Sequence, residues 1–434
     1  MYCVAAEASD VIYRDGLENV SIRIPGRNYG DLVMLPEFPK PEAGFIESAF
    51  AAPVNSPSLR VLAGGKKRAA IMVSDSTRNV PTAEVLPRVL EELALGGMNM
   101  GGITLIVATG VHRPATEDEL REIVGENFWG KVQIVNHNPY DRENLVSLGV
   151  TSRGTPVEIN RLAAAADLRV VIGKVEPHEF AGFSGGRKSI LPGISSEQSI
   201  LVNHRPEMIL DPMASIGILD GNPIHEDMAE AARMAGVHFS VNILAGLDGM
   251  PFHVNCGCVE SSHAAAVTAL KGYISLPLPH RLKIAVVTPG YPLNINLYQT
   301  IKAIIAMAPV MDKDGILVLY SNCTEGTDSP DMLRPFEERK GIDGALAFLH
   351  KNYKIQMDHS LLLCKILQKG LRVVFSSPNI DPDISAMMGF IPSESPEAAV
   401  EKALSMAGGE EKVTFMPCPQ RALPFISQYD AASR

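Results

Sequence analysis

"DLRVVIGKVEPHEFAGFSGGRKSILPG", residues 167–193, decides how the rest of the chain is read. Its opening run is apolar and rich in β-branched residues, the pattern of a strand buried on both faces of a parallel sheet. The run gives way to a long loop that holds His178, four glycines, Arg187 and Lys188, with Pro177 and Pro192 near its ends. A glycine-rich loop ending in lysine suggests phosphate, but a P-loop needs glycine immediately before the lysine. Arg187 stands there instead, and Gly185–Gly186 come one residue too early. Glycines at 182, 185 and 186 still allow a ligand to approach backbone N–H groups. Lys188 is then open to two roles, a phosphate contact or a covalent attachment point.

Outward from this stretch, strand-like and helix-like segments alternate, the mark of an α/β protein. Upstream, "RAAIMVS" (68–74), "GITLIVATG" (102–110) and "KVQIVN" (131–136) read as strands. Residues 81–97 and 116–125 read as helices between them, the second opened by Thr116 and Glu119 in capping-box spacing. Downstream, 195–204 reads as a helix with Ser195 and Gln198 in the same spacing, and 222–236 as another. Residues 239–257 resemble a hairpin about an Asp-Gly turn. A second α/β unit opens near residue 280, with strands at 281–290 and 315–323 around a helix at 294–311. The Pro-flanked "SLPLPHR" (275–281) reads as the linker before it. The expected fold is α/β, two doubly wound domains at 1–275 and 276–434 with the active site in the cleft between them. The final segment is free in this scheme to pack back on the first domain.

A length of 434 residues accommodates two such domains. The net charge of −10 argues against a nucleic-acid partner, which needs clustered Lys and Arg. The N-terminal "MYCVAAEASD" lacks the basic and apolar regions of a secretory signal, and no apolar run is long enough for a membrane helix. A cytoplasmic protein without membrane contact is expected. Of six cysteines only Cys256 and Cys258 lie close together, and they read as buried small hydrophobes or a strand end.

In open parallel sheets ligands collect beyond the C-terminal ends of the strands. Three successive strand ends carry ionisable residues: Asp75 and Arg78, then His112 and Arg113, then His178 and Lys188. Each also has a structural reading, Asp75 as a turn cap paired with Arg78 and His112 as a loop histidine bonded to backbone. His204, at the end of the helix after the loop, lies within reach of a ligand held by Lys188. His112, His178 and His204 are a candidate three-histidine metal site, although separations of 66 and 26 residues match no compact zinc motif. In the second unit, Gln299 and Lys302 at i, i+3, and Tyr298 and Lys302 at i, i+4, share one face of a mostly apolar helix. They form either a solvated stripe or a grip for a substrate carboxylate.

Taken in order, "SDSTR" (74–78), "ATGVHRPAT" (108–116), "PHEFAGFSGGRKSILPG" (177–193), His204 and "YQTIK" (298–302) resemble the motifs of the lactate racemase family, the nickel-pincer-nucleotide enzymes. The resemblance spans about 70–305. It implies a cofactor, pyridinium-3,5-bisthiocarboxylic acid mononucleotide carrying nickel, bound covalently to Lys188, with His204 as the protein ligand to nickel. Asp75, Ser76, Thr77 and Arg78, with Gly185 and Gly186, would contact the nucleotide. His112 and His178 would be paired acid/base residues, and Arg78, Tyr298, Gln299 and Lys302 would bind substrate. Cofactor-synthesis proteins are the implied maturation partners.

The implied reaction is racemisation or epimerisation at C2 of a 2-hydroxy acid. Abstracting the α-proton is hard because a carboxylate stabilises the carbanion poorly. Removing hydride while a base takes the hydroxyl proton gives a planar keto acid, which accepts hydride on either face. Two histidines suit the two binding orientations. Trp129, in the first domain, is the only tryptophan, whereas some members of the family place one near the cofactor in the second. Ala181 also leaves no hydroxyl beside His178. The resemblance covers acids from lactate to aromatic, dicarboxylic and sugar acids. Two other readings stand beside it, a nucleotide-cofactor carrier or sensor without racemase activity, and a three-histidine zinc hydrolase.

Overall fold

The computed structural model describes residues 10–15, 18–35, 37–337 and 341–427. Most of the N-terminal stretch read for a signal lies outside them. The chain divides into two compact units, Glu37–Tyr273 and Met1–Pro36 with Ile274–Arg434. Each is built on a six-stranded sheet, and both sheets are dominated by parallel pairs, as the apolar runs imply.

In Glu37–Tyr273 the sheet order is Pro251–Gly257, Phe239–Ala245, Leu168–Lys174, Ala69–Ser74, Ile103–Ala108, Gln133–Asn136. Only the first pair is antiparallel, the hairpin expected at 239–257. The chain starts at Ala69–Ser74, steps outward through two strands, then returns to Leu168–Lys174 on the other side. Those two central strands therefore flank the switch point, where the crevice of an open parallel sheet forms. The helix Thr82–Leu95 covers one face with Val85, Leu86, Val89, Leu90 and Leu93 buried at three- and four-residue spacing.

The second sheet is ordered Ile391–Pro392, Arg372–Ser376, Met311–Tyr320, Leu282–Thr288, Val413–Pro417, Tyr29–Leu32. Its switch point lies between Leu282–Thr288 and Val413–Pro417. The helix Leu297–Met307 follows the first of these strands, and the N–H of Cys418, after the second, donates to Thr288 O at 2.8 Å.

The early segment is grouped with Ile274–Arg434 in this division. Tyr29–Leu32 pairs with Val413–Pro417, and Asn28 Nδ2 donates to the carbonyls of Gly409 and Glu411. The N-terminal segment crosses over, while the C-terminal strand stays in its own sheet. The helix after the glycine loop is capped by Ser196, whose hydroxyl accepts the Ser199 N–H, rather than by Ser195. Ser195 is occupied elsewhere, its hydroxyl donating to Ile190 O. The Thr116–Glu119 capping box forms in both halves. Among the described residues no helix is long and apolar enough to cross a membrane.

Candidate functional site

The register Ser74↔Ala108 puts the residues just past two neighbouring strands side by side. Asp75 caps the short 3-10 turn Ser76–Arg78, its Oδ1 accepting from Thr77 N at 2.9 Å and Thr77 Oγ1 at 2.5 Å. Its Oδ2 lies 2.9 Å from His112 Nδ1. Burial alone would push this carboxyl up. The hydrogen bond and charge of His112, with Arg78 and Thr77, outweigh it and hold Asp75 below the usual carboxylate range. An ionised, buried carboxylate favours the His112 tautomer with its proton on Nδ1 and leaves Nε2 toward Arg78. Arg78 Nη2 stands 3.3 Å from that Nε2. Asp75 is thus an orienting group for His112, not merely a turn cap.

Glu119 is a part of this corner that the sequence reveals only as a cap. It accepts from Ser76 Oγ at 2.8 Å and from Arg113 at 2.6 and 2.7 Å, besides Thr116 N at 2.7 Å. Arg113, first among these donors, holds its carboxyl far below the usual range. Glu119 therefore ties the loop after Ala69–Ser74 to the loop after Ile103–Ala108. Its signal in the sequence was its place at N3 of a helix that begins beside both loops.

Across the switch point, Pro177–His178 pairs antiparallel with Gly182–Phe183, which fixes the start of the loop. His178 Nδ1 lies 3.3 Å from Glu179 Oε2 and 3.4 Å from the Ala181 N–H. The Phe180 ring meets His178 edge-on at 4.7 Å and His204 edge-on at 5.1 Å, so one buried aromatic links two of the expected site histidines. His204 ends the helix Glu197–Asn203 and is itself buried. His112 belongs instead with Asp75 and Arg78. Among the described residues no three His, Cys, Asp or Glu side chains gather to hold a metal ion, so the three-histidine zinc site expected as an alternative does not form. Cys256 is a buried strand residue whose thiol donates to Ala49 O, and burial pushes it up to about 12.

The loop glycines serve packing first. A Cβ on Gly185 would stand 2.7 Å from Val175 and 3.1 Å from both Asn242 and His263. One on Gly186 would meet Ser240 Oγ at 2.8 Å. Seating the loop against the strands Leu168–Lys174 and Phe239–Ala245 therefore itself requires glycine at both positions. Lys188 follows in the 3-10 turn Gly186–Ser189 and is half-buried.

In the other unit, the helix Leu297–Met307 is capped by Asn296 and buries Leu297, Thr300, Ile301 and Ile304. Tyr298, Gln299 and Lys302 form its less buried stripe. Tyr298 packs on His359 at 4.1 Å and donates its hydroxyl to Asp358 at 3.2 Å. Gln299 Oε1 is buried without a hydrogen-bond partner. So are Thr288 Oγ1, Asn294 Oδ1 and Gln420 Oε1, at or after the ends of the strands that flank this sheet's switch point.

The description "Lactate racemase N-terminal domain" matches residues 16–217 and "Lactate racemase C-terminal domain" matches 280–419. The lactate racemase of Thermoanaerobacterium thermosaccharolyticum is 36% identical over 69% of this chain and 70% of its own. That of Lactiplantibacillus plantarum is 33% identical over 86% and 88%. The solved apoprotein of the Thermoanaerobacterium enzyme superposes with a TM-score of 0.89 at 28% identity, covering 96% of this chain and all of that one. A Thermotoga maritima protein shares the fold, with a TM-score of 0.63 at 18% identity. An α/β chain with these likenesses is a racemase, an isomerase in reaction class. More narrowly, the chain belongs to the lactate racemase family.

Proposed function

We propose that this enzyme inverts C2 of a 2-hydroxy acid, with His112 and His178 as the paired acid/base residues. The observation that carries the reading is the Asp75–His112 contact of 2.9 Å, which aligns one imidazole at the switch point as a base. Asp75 holds the proton on Nδ1, so Nε2 takes the substrate hydroxyl proton. Arg78, beside that nitrogen, accepts the carboxylate or the developing alkoxide as a charge partner. His178, on the other side of the switch point and close to Glu179, serves the opposite binding orientation. Gln299 and Lys302 are proposed to bind the substrate carboxylate, Tyr298 to line the same region. Phe180 keeps water away from the His178 and His204 imidazoles.

The residues present fit the nickel nucleotide that the family resemblance implies. Imidazole is a suitable nickel ligand, and His204 is buried against Phe180, which also touches His178. Lys188 supplies the amine for a covalent tether at the end of a loop seated firmly on the sheet. Asp75, Ser76, Thr77, Arg78 and the backbone of Gly185–Gly186 are the proposed nucleotide contacts. When bound, the group supplies a hydride acceptor and donor. The protein contributes proton transfer, orientation and charge.

The test is an intact mass of the protein co-produced with cofactor-synthesis proteins, beside Lys188→Ala, with racemisation of a panel of 2-hydroxy acids. An adduct on the wild type alone, with stereochemical scrambling of one acid class, is expected. No adduct and no scrambling despite active synthesis proteins would overturn the reading.

A further inference from the structure

Arg187 was the residue that broke the P-loop pattern, and none of the roles above uses it. Its guanidinium is buried, and among the described residues no carboxylate pairs with it. Nη2 donates to Ala181 O at 3.2 Å and Phe183 O at 3.0 Å. Nη1 lies 2.8 Å from His263 Nε2 and 3.4 Å from Ser184 O. His263 Nε2 is also 2.7 Å from Ser184 O, and one nitrogen cannot serve both neighbours. Nε2 either accepts from the guanidinium or donates to the Ser184 carbonyl, and the imidazole is neutral beside the buried cation, in keeping with a basicity that burial and Arg187 lower.

We propose that Arg187 is a positioning residue: its buried guanidinium gathers the carbonyls of Ala181, Phe183 and Ser184 and so fixes the loop that presents His178 and Lys188. Two of those carbonyls belong to peptides that enter Gly182 and Gly185, at φ +76° and +99°. Each left-handed glycine turns the preceding carbonyl toward the guanidinium, where a residue with a Cβ would be strained. Because the charge is held by backbone dipoles rather than a carboxylate, opening the loop strips a buried cation of its partners. Loop closure and charge burial are thereby one event. Lysine cannot replace it, since a single ammonium does not span three carbonyls and an imidazole.

The proposal rests on His178 and Lys188 being the working residues, and its test separates the two ideas. Amide hydrogen exchange of residues 178–188 is followed in cofactor-free wild type, Arg187→Lys, Arg187→Ala and His263→Leu. Exchange in both Arg187 variants should rise about tenfold or more across 181–186, with the strand Ile103–Ala108 unchanged, and less in His263→Leu. A cavity of about 270 Å³ borders Arg187, His225 and His263. Through it, millimolar guanidinium chloride should restore protection to Arg187→Ala, where equal sodium chloride does not. In loaded enzyme, Arg187→Lys should lower kcat about a hundredfold with KM little changed and the Lys188 adduct intact. Wild-type exchange and kcat in Arg187→Lys would overturn the proposal. If Arg187→Ala does not fold, His263→Leu carries the exchange test, and unchanged protection there counts against it. A loosened loop beside a fully active His178→Ala would instead overturn the functional reading while leaving the loop contact standing.

Discussion

The two sheets of this racemase have the same parallel construction and present opposite chemistry at their switch points. In Glu37–Tyr273 the crevice is bordered on one side by Asp75, Arg78 and His112, joined through His112 within 3.5 Å, and on the other by His178 beside Glu179. In the other unit, the corresponding positions carry Thr288, Asn294 and Gln420, neutral and buried, with oxygen atoms left without partners. The first arrangement suits moving protons. The second suits holding a polar ligand, since an orphaned buried oxygen costs stability that a ligand donor recovers. Under the proposed function, one architecture is divided between chemistry and grip.

The largest test of that division is at the histidines. His112→Ala and His178→Ala should each lower kcat by about 10³-fold while the cofactor mass on Lys188 persists. Near wild-type turnover in either would break the assignment of chemistry to the first sheet. Asp75→Asn keeps the shape of the cap and removes the charge facing His112. It should cost between about 10- and 100-fold in kcat with KM nearly constant, read by steady-state kinetics. In the second unit, Lys302→Ala should raise KM about tenfold and leave kcat within a few-fold. A kcat loss as large as that of Asp75→Asn would mean the second unit takes part in the chemistry.

A smaller difference concerns acid. Burial, with Arg187 and Arg233, takes His225 down to about 3, and burial likewise lowers His137, His238 and His263. All four lie in Glu37–Tyr273. Between pH 3 and 6.5 the unfolded chain protonates His225 and the folded one does not, so stability falls as pH drops below about 6.5. One such histidine contributes a slope of up to about 1.4 kcal/mol per pH unit. Exchange protection measured at pH 7 and 5, corrected for intrinsic rates, should decline more in this sheet than in the other. Equal decline would remove the histidines as its cause.

Much of this was legible in the order of residues because each buried strand announces itself by its apolar run and each strand end by a change to turn formers. Ala69–Ser74 and Ile103–Ala108 fall inside the stretches read as strands, Leu168–Lys174 runs one residue past 167–173, and Asp75 and His112, beyond the first two, meet. Partnership was less legible. Asp75 looked like a mate for Arg78, and its principal contact is His112, through a strand register that local sequence does not encode. The glycines at 185 and 186 are read as allowing a ligand close approach, and the sequence gives no sign that they also pack on Asn242 and Ser240, set by a strand more than fifty residues on. Tyr29–Leu32 gave no sign of joining the second sheet, because a short edge strand is defined by its neighbour rather than by its own four residues.

That edge strand has a consequence for how the molecule is made. Asn28 and its partner Gly409 are separated by 381 positions, and the whole of Glu37–Tyr273 is synthesised between them. At ordinary translation speeds the first segment waits on the order of tens of seconds for Val413–Pro417 to emerge. The inserted unit holds all six strands of its own sheet and has time to fold meanwhile. A nascent chain arrested near residue 400 should therefore carry a protease-resistant 37–273 and a cleavable 29–32, and resistance at 29–32 would mean that the strand finds shelter before its partner exists. The last strand of that sheet to leave the ribosome would then be the one that recruits the first.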